Sequence, residues 1–245
     1  MIDSVRSTVL SIISKDNRGY ITPFEFNLFA KQAQLEIFEG MFYTYSNSVN
    51  KQNARLHNNG YTDIPKQIEE AIDTFSAYGI LTYNATNSKY KVPEDCYMLN
   101  TVIYNDTVEV EKVPATKIYN LTSSNLTAPT TSYPVYTQDG VWPPLQSQST
   151  FGDYITVYPN TITGAGVITT QYVRYPQDPK WTYSSVVSGT PIFNPNVTDY
   201  QDFELPLSYE TDLVIKILQY AGLSIRENEI TSAAKAEEGQ NAQKV

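Results

Sequence analysis

The chain has 245 residues, with 26 acidic side chains against 17 basic ones and a formal net charge of −9. That length allows a sizeable core, and the acidic surplus is spread along the whole chain. No basic face or arm is apparent in the sequence, which argues against a protein that grips nucleic acid phosphates. Cys96 is the only cysteine, which excludes an intramolecular disulfide and predicts folding in a reducing compartment.

Two helices are predicted at the start of the chain. Residues 2–14 carry apolar side chains at helical spacing, and Arg6 and several serines interrupt them, which favours a short helix over a signal peptide or membrane span. The stretch Thr22–Arg55 opens with Thr22-Pro23-Phe24-Glu25, the pattern of a capping box. Its apolar residues cover more than one stripe, so this long helix must be surrounded by other elements or other subunits.

A third helix is predicted over Ile64–Ala77, after which alternation replaces the helical period. The predicted strands are Ile80–Tyr83, Lys89–Val92, Tyr97–Tyr104, Thr107–Val113, Tyr154–Tyr158 and Gly166–Arg174. Between the last two, Gly164-Ala165-Gly166 predicts a hairpin turn.

Irregular structure is predicted for Ile118–Ser149, where four prolines lie among many Ser, Thr and Gln residues. That stretch is too long for an ordinary turn, and we interpret it as an extended functional loop or arm. Helix returns after Leu205, with an apolar stripe from Leu213 to Ile225 and a polar tail.

The predicted fold class is therefore α+β. An N-terminal helical bundle is completed by the C-terminal helix, and an antiparallel β region with a long proline-rich loop is inserted between them. The expected segments are 1–79 (helical), 80–204 (β, with the loop at 118–149) and 205–245 (C-terminal helix and tail), folded as one integrated unit.

Catalytic and metal chemistry finds little support in the sequence. Residues 14–25 fit the spacing of a calcium loop, but Ser14 and Arg18 occupy ligand positions where oxygen anions are needed, and the capping box already explains Glu25. His57 is the only histidine, which excludes a paired-histidine zinc site. No nucleophile motif or phosphate loop is present in the sequence, so neither an enzyme nor a cofactor is predicted.

Tyrosine is unusually frequent, with 20 residues against 9 Phe and 2 Trp. Tyrosine suits surfaces buried against partners, and it also suits strands; the composition leaves both readings open. As subunit-interface candidates we take seven aromatic residues of the long helix and the loop: Phe29, Phe38, Phe42, Tyr43, Tyr133, Tyr136 and Trp142.

Two stretches carry a family resemblance. VRSTVLSIISKDNRGYITPFEFNLFAKQAQLEIFE (5–39) resembles the start of a virion structural protein of crAss-like tailed bacteriophages. The order of YITVYP (154–159), VITTQYVRYP (167–176), Trp181 and ELP (204–206) is similar to head–tail adaptor and tail tubular A-type ring proteins of short-tailed phages.

The resemblance implies a structural ring component of the head–tail connector or tail barrel, located in the virion and made in the host cytoplasm. Its implied partners are further copies in a dodecameric ring, a portal or adaptor ring, further tail ring proteins, and DNA that passes through the bore during genome ejection without specific binding; no membrane is involved. An acidic bore would not retain DNA.

Two other classes of function remain open. The first is a tail-associated carbohydrate or host-recognition module, in which exposed tyrosines and Trp142 or Trp181 would be sugar platforms. The second is an acidic glycan-degrading enzyme, for which the sequence indicates no particular carboxylate pair.

Overall fold

The computed structural model describes residues 1–15, 20–53, 64–139, 154–185 and 191–225. The helices are α1 (Ile2–Lys15), α2 (Pro23–Asn53), α3 (Ile64–Asp73), α4 (Ala115–Thr122) and α5 (Glu210–Ile225), with a 3₁₀ turn at Leu207–Tyr209 before α5. The first five strands are β1 (Ser76–Ile80), β2 (Thr82–Asn84), β3 (Lys89–Lys91), β4 (Cys96–Tyr104) and β5 (Val108–Lys112). The others are β6 (Val135–Asp139), β7 (Tyr154–Tyr158), β8 (Ile168–Arg174), β9 (Tyr183–Ser185) and β10 (Pro191–Phe193).

Helices account for 41% and strands for 27% of the described residues, which confirms the predicted α+β class. The predicted helical bundle is not supported, and a large near-barrel sheet is present instead. The chain divides into two compact units. We call Met1–Thr74 with Pro176–Val245 the helical unit, and Phe75–Tyr175 the sheet unit.

The boundaries of these units differ from those of the predicted segments. Residues 176–204, which contain several prolines, were predicted to belong to the β segment but belong to the helical unit. Gln34, a buried residue of α2, donates from Nε2 to the carbonyl of Gln177 at 2.7 Å and accepts from the backbone N–H of Glu204 at 3.1 Å. The Glu204 carboxylate in turn accepts from the backbone N–H of Gln177 at 2.8 Å. One buried amide on α2 thus fixes both ends of the segment.

The N-terminus of α1 is capped by a carboxylate from far along the chain. Asp202 Oδ1 accepts the backbone N–H of Ile2 at 2.8 Å, and Oδ2 lies 3.0 Å from the amino group of Met1. The first N–H groups of a helix have no partner within it, and a negative charge there also complements the helix dipole. Asp202 therefore ties the proline-containing segment to α1.

We expect Asp202→Ala to lower the free energy of unfolding by about 1–2 kcal/mol, because it leaves a partly buried helix end without its acceptor. Urea denaturation followed by circular dichroism measures the change. Asp199→Ala is the matched control, because Asp199 pairs with Lys180 in solvent, where ion pairs contribute little. Equal effects of the two variants would contradict the capping role.

The predicted capping box at the start of α2 is confirmed. The Glu25 carboxylate accepts from the N–H of Thr22 at 2.9 Å and from its hydroxyl at 2.8 Å, while the N–H of Glu25 donates to Thr22 Oγ1 at 3.2 Å. These bonds to the ionised form hold the pKa of Glu25 below its ordinary value.

That pKa shift gives a pH dependence with a defined sign. Because the folded-state pKa is depressed, the stabilisation is complete above the ordinary glutamate pKa and is lost as the pH falls through the folded-state value. We expect wild type to be more stable than Glu25→Gln at neutral pH and the difference to shrink in acid, measured by urea denaturation across that range. A difference in unfolding free energy between wild type and Glu25→Gln that stays constant with pH would refute this role of the Glu25 carboxylate.

The long helix packs against α3 and α5, and α1 packs against α5. Glu36 of α2 accepts from Lys216 Nζ at 2.7 Å and from the Tyr220 hydroxyl at 2.8 Å, so one carboxylate joins α2 to two successive turns of α5. The Phe29 ring stacks on Tyr220 beside this contact, with centroids 6.5 Å apart. None of the described helices is long and apolar enough to span a membrane.

The sheet unit contains an eight-stranded sheet in the order β1-β8-β4-β5-β6-β7-β3-β2. The strands at its two ends, β1 and β2, are separated in the chain by Leu81 alone, so the sheet curves round until its ends meet. The N–H of Leu81 donates to the carbonyl of Ile168 at 3.0 Å at that corner. Strand pairs are antiparallel except β5 with β6, which is parallel and was not predicted.

The interior of this near-barrel holds the apolar core of the sheet unit. Its buried residues are Leu81, Tyr90, Val92, Val102, Val110, Tyr136, Ile155, Val157, Ile162 and Ile168. In β4, β5 and β7 each buried residue lies between more exposed neighbours, as the two faces of a curved sheet require. Strand β8 is buried on both faces, with Gln171 as its one exposed residue. Burial raises the pKa of Tyr90 to about 12, so this phenol stays neutral inside the core.

The predicted strands of the β4–β5 hairpin are confirmed to within a residue at either end, and β7 matches its prediction at both ends. Asn105 and Asp106 form the hairpin turn with φ of 50° and 55°, and the N–H of Thr107 donates to the carbonyl of Tyr104. Both turn residues tolerate the left-handed region, and two positive φ values give the turn that matches the twist of a hairpin.

Two local predictions are wrong. The third helix ends at Asp73 instead of Ala77, because Ser76–Ile80 pairs with β8. Gly164-Ala165-Gly166 does not form a hairpin: β7 pairs with β3 and β6, whereas β8 pairs with β1 and β4. The positive φ values of Gly164 and Gly166 still explain the two glycines.

The long loop predicted over 118–149 is also interrupted where the structure describes it. Helix α4 continues to Thr122, and β6 inserts between β5 and β7. Pro134 directly precedes β6, a position where a missing N–H is tolerated. The remainder, from residue 140 to 149, lies outside the described residues, as does the predicted turn around His57.

Candidate interaction surfaces

Trp181 holds the proline-containing segment between α1 and α2. Its backbone N–H and carbonyl both bond to the Asn27 side-chain amide of α2, at 2.9 and 3.2 Å. Its indole N–H donates to Asp3 Oδ1 of α1 at 2.9 Å. With an exposed fraction of 2%, Trp181 cannot be the sugar platform considered from the sequence, and that interpretation is wrong for this residue.

The Trp181 ring lies within a stack of π systems. The guanidinium carbon of Arg6 is 3.8 Å from the ring centroid, and the rings of Tyr183 and Phe193 are nearly parallel to it at 5.6 and 6.0 Å. Burial lowers the pKa of Arg6, and its Nε has no hydrogen-bond partner. A buried guanidinium over an indole face gains a cation–π attraction that offsets part of its lost hydration.

The predicted interface residues have different surroundings. Phe38 and Tyr136, with exposed fractions of 0% and 3%, belong to the chain's own core. Phe42 is half-buried against Phe38, with ring centroids 5.2 Å apart. Phe29 is half-buried on Tyr220, as described above. Trp142 lies outside the described residues.

Tyr43 and Tyr133 are the two candidates that face solvent, with exposed fractions of 72% and 81%. The other α2 residues of this kind are Phe24 and Leu28, one helical turn apart and exposed by 78% and 50%. The apolar surplus of α2 therefore lies partly in the core and partly on the surface, as its more-than-one-stripe pattern predicts.

The most unusual surface is the connection from β5 to β6, residues 115–133, which we call the arm. Every side chain of this fully described stretch is at least partly exposed, including Tyr119 at 77%, Leu126 at 94% and Tyr133 at 81%. Large apolar side chains that face solvent contribute nothing to the chain's own core. Their exposure makes the arm a candidate interaction surface.

The arm is ordered by its own hydrogen bonds. Thr127 Oγ1 donates to the carbonyl of Leu121 at 3.2 Å, and the N–H of Ala128 donates to the carbonyl of Ser124 at 2.9 Å. Thr130 and Tyr133 bond to each other through their backbones. Since its shape is held before any partner binds, little conformational entropy would be lost on docking.

A second, partly exposed apolar surface lies on the outer side of strands β1, β8 and β4, where Gln171 of the central strand β8 is exposed and its neighbours Thr169 and Val173 are buried. Register places Tyr78 beside Gln171 and Thr101, and Ile80 beside Thr169 and Ile103. Tyr78, Ile80 and Met98 are exposed by 58%, 61% and 45%. We call this surface, formed by Tyr78, Ile80, Met98, Thr101, Ile103 and Gln171, the β-face.

The β-face is braced by the hairpin turn. Asp106 Oδ1 accepts from the Tyr78 hydroxyl and from Thr169 Oγ1, each at 3.0 Å. These bonds join β1 and β8 to the turn between β4 and β5. The exposed tyrosine is therefore held in one position, which favours a fixed contact surface.

Features of a small-molecule site are sparse in the part of the chain that the structure describes. A polar depression of about 360 Å³ lies beside β3 and β7, lined by Asn87, Lys89, Tyr158, Asn160 and Thr163 among others. No group of three or more His, Cys, Asp or Glu among the described residues could hold a metal ion. Burial raises the pKa of Cys96 to about 11, so its thiol is protonated at neutral pH.

The sequence missed Tyr119, Leu126, Tyr78 and Ile80 as surface residues. The predicted helix ran to Ala77 and the predicted strand began only at Ile80, which hid the alternation along Ser76–Ile80 that turns Tyr78 and Ile80 outward. The arm did carry a signal: apart from Lys117, no residue from Val113 to Gln138 is charged. A scan against protein-family models gives no match, and a comparison with curated proteins gives none either.

Proposed function

We propose that this chain is a structural ring component of a phage head–tail connector or tail barrel, joining portal to tail and forming part of the channel for DNA. The observation that carries the proposal is the arm, an ordered and nearly uncharged connection whose large apolar side chains face solvent. Apolar side chains left in water do not stabilise an isolated chain, whereas in an assembly they can be buried against a partner.

Further support comes from α2 and from the charge. Phe24, Leu28 and Tyr43 expose apolar surface on a helix whose other faces already fill the core. The net charge of −9 suits a wall past which DNA moves without being held. The family resemblance of residues 5–39 supplies the virion context, and the proposed partners are further copies of the chain, a portal or adaptor ring, and further tail rings.

Cryo-electron microscopy of the purified particle tests this proposal. We expect density for this chain in a ring of identical copies around the DNA channel between head and tail, with side-chain density that matches the arm. Finding the ring built from another chain, and this chain in a peripheral appendage or missing from the particle, would overturn it. Binding to a glycan array by the isolated chain would instead favour the host-recognition module.

A further inference from the structure

We propose that the arm of one copy docks on the β-face of the next copy, as the contact that repeats around the assembly. This inference rests on the proposed function and names the surfaces that would build it. Both surfaces belong to the sheet unit, so the contact requires no particular placement of the helical unit.

Charge is the first reason for pairing these two surfaces. Two copies of a chain with net charge −9 repel each other unless they meet through surfaces without like charge. The six residues of the β-face are all uncharged, and Lys117 is the only charged residue of the arm. Exposed Glu109 pairs across strands with Ile103 of the β-face, and exposed Asp106 accepts from Tyr78, so the single cation of the arm would approach an acidic edge.

Order and exposure are the second reason. The arm is held by its own hydrogen bonds, and the β-face is held by the Asp106 bonds. The large side chains at issue, Tyr119, Leu126 and Tyr133 on one side and Tyr78, Ile80 and Met98 on the other, are all more than two-fifths exposed. Burying them against each other would remove the largest apolar residues of the sheet unit's surface from water.

Topology is the third reason. The arm joins β5 to β6, whereas the β-face is formed by β1, β8 and β4. One molecule can therefore offer its arm to one neighbour and its β-face to another at the same time. When a molecule makes these two contacts with two different neighbours, the contact is head-to-tail and generates closed rings or open filaments.

Complementary variants test this docking. Leu126→Arg places a charge on the arm and leaves the β-face intact, and Ile80→Arg does the reverse; both positions are exposed, so folding is preserved. We expect either variant alone to associate about tenfold or more weakly than wild type, because docking would bury an unpaired charge. Mixed in equal amounts, the two should form a 1:1 dimer and nothing larger, since only one intact arm and one intact β-face meet.

Sedimentation velocity on the full-length chain reports these states. Leu207→Arg and Ile192→Arg are the matched controls, because they add the same charge at a leucine and an isoleucine of the helical unit exposed by 74% and 53%. They should assemble like wild type. If wild type and controls assemble while the mixture stays monomeric, the docking is overturned and the proposed function stands; if wild type is monomeric at every concentration and no particle ring contains the chain, both are overturned.

Discussion

Replacing Trp181 with alanine is expected to lower the free energy of unfolding by about 3–5 kcal/mol, the usual range for a large aromatic removed from a core. The side chain is 2% exposed and fills the space between α1, α2 and the β9–β10 ribbon. Its removal leaves a cavity and deprives Asp3 of the indole donor. It also leaves the Arg6 guanidinium buried without the ring that it covers.

Trp181→Phe separates these contributions. Phenylalanine keeps a ring beneath Arg6 but has no N–H for Asp3, so we expect a smaller loss of about 1–3 kcal/mol, the cost of a polar group left unsatisfied. Phe24→Ala is the control, because it removes an aromatic side chain that is 78% exposed, and such changes usually stay within about 0.5 kcal/mol. Urea denaturation followed by circular dichroism gives all three values.

A loss below about 1 kcal/mol for Trp181→Ala would contradict this account, because large core truncations cost several times that amount. It would mean that the proline-containing segment is held on the helices without Trp181, by the Gln34 and Asp202 bonds alone.

The parts of the fold that could be predicted are those determined by interactions between residues close together in the sequence. Thr22 and Glu25 are three positions apart and satisfy each other's groups, so the start of α2 needs no distant partner. Asn105 and Asp106 lie between two alternating runs and tolerate positive φ, so the β4–β5 hairpin is equally local.

The parts that could not be predicted depend on distant partners. The residues around Ser76–Ile80 have apolar spacing compatible with a helix, but pairing with β8, ninety residues later in the chain, makes them a strand. The pairing also depends on a glycine at position 79, because a Cβ there would lie only 3.1 Å from the Tyr172 ring of β8. The capping of α1 by Asp202 could not be predicted from the sequence either, because two hundred residues separate Asp202 from Ile2.

The predicted interface residues also show that burial depends on the fold and not on residue type alone. Aromatic identity alone selected Phe38 and Tyr136, which the fold buries, together with Tyr43 and Tyr133, which it exposes. In β6 the alternation of the strand decides that Tyr136 faces the core. Side-chain type predicts that a residue contacts something, and only the fold decides whether the contact lies within the chain or outside it.

Leu81→Ala is expected to lower the free energy of unfolding by about 2–5 kcal/mol, the range for a fully buried leucine. Leu81 has an exposed fraction of 0% and is the single residue between β1 and β2, where the sheet meets itself. Its side chain packs in the interior of the near-barrel, and its N–H closes the corner onto Ile168. The truncation opens a cavity at the corner where β1 and β2, the two end strands of the sheet, meet around the Leu81 side chain.

Ile80→Ala is the matched control for Leu81→Ala, because Ile80 is the preceding residue, points outward and is 61% exposed. At concentrations where the chain is monomeric, its effect should stay within about 0.5 kcal/mol. Urea denaturation measures both variants, and hydrogen exchange of the residue-81 amide reports opening of the corner itself, which should become faster only in Leu81→Ala. Equal destabilisation by the two variants would mean that residues 80 and 81 do not alternate between surface and interior, and the near-barrel would not close as described.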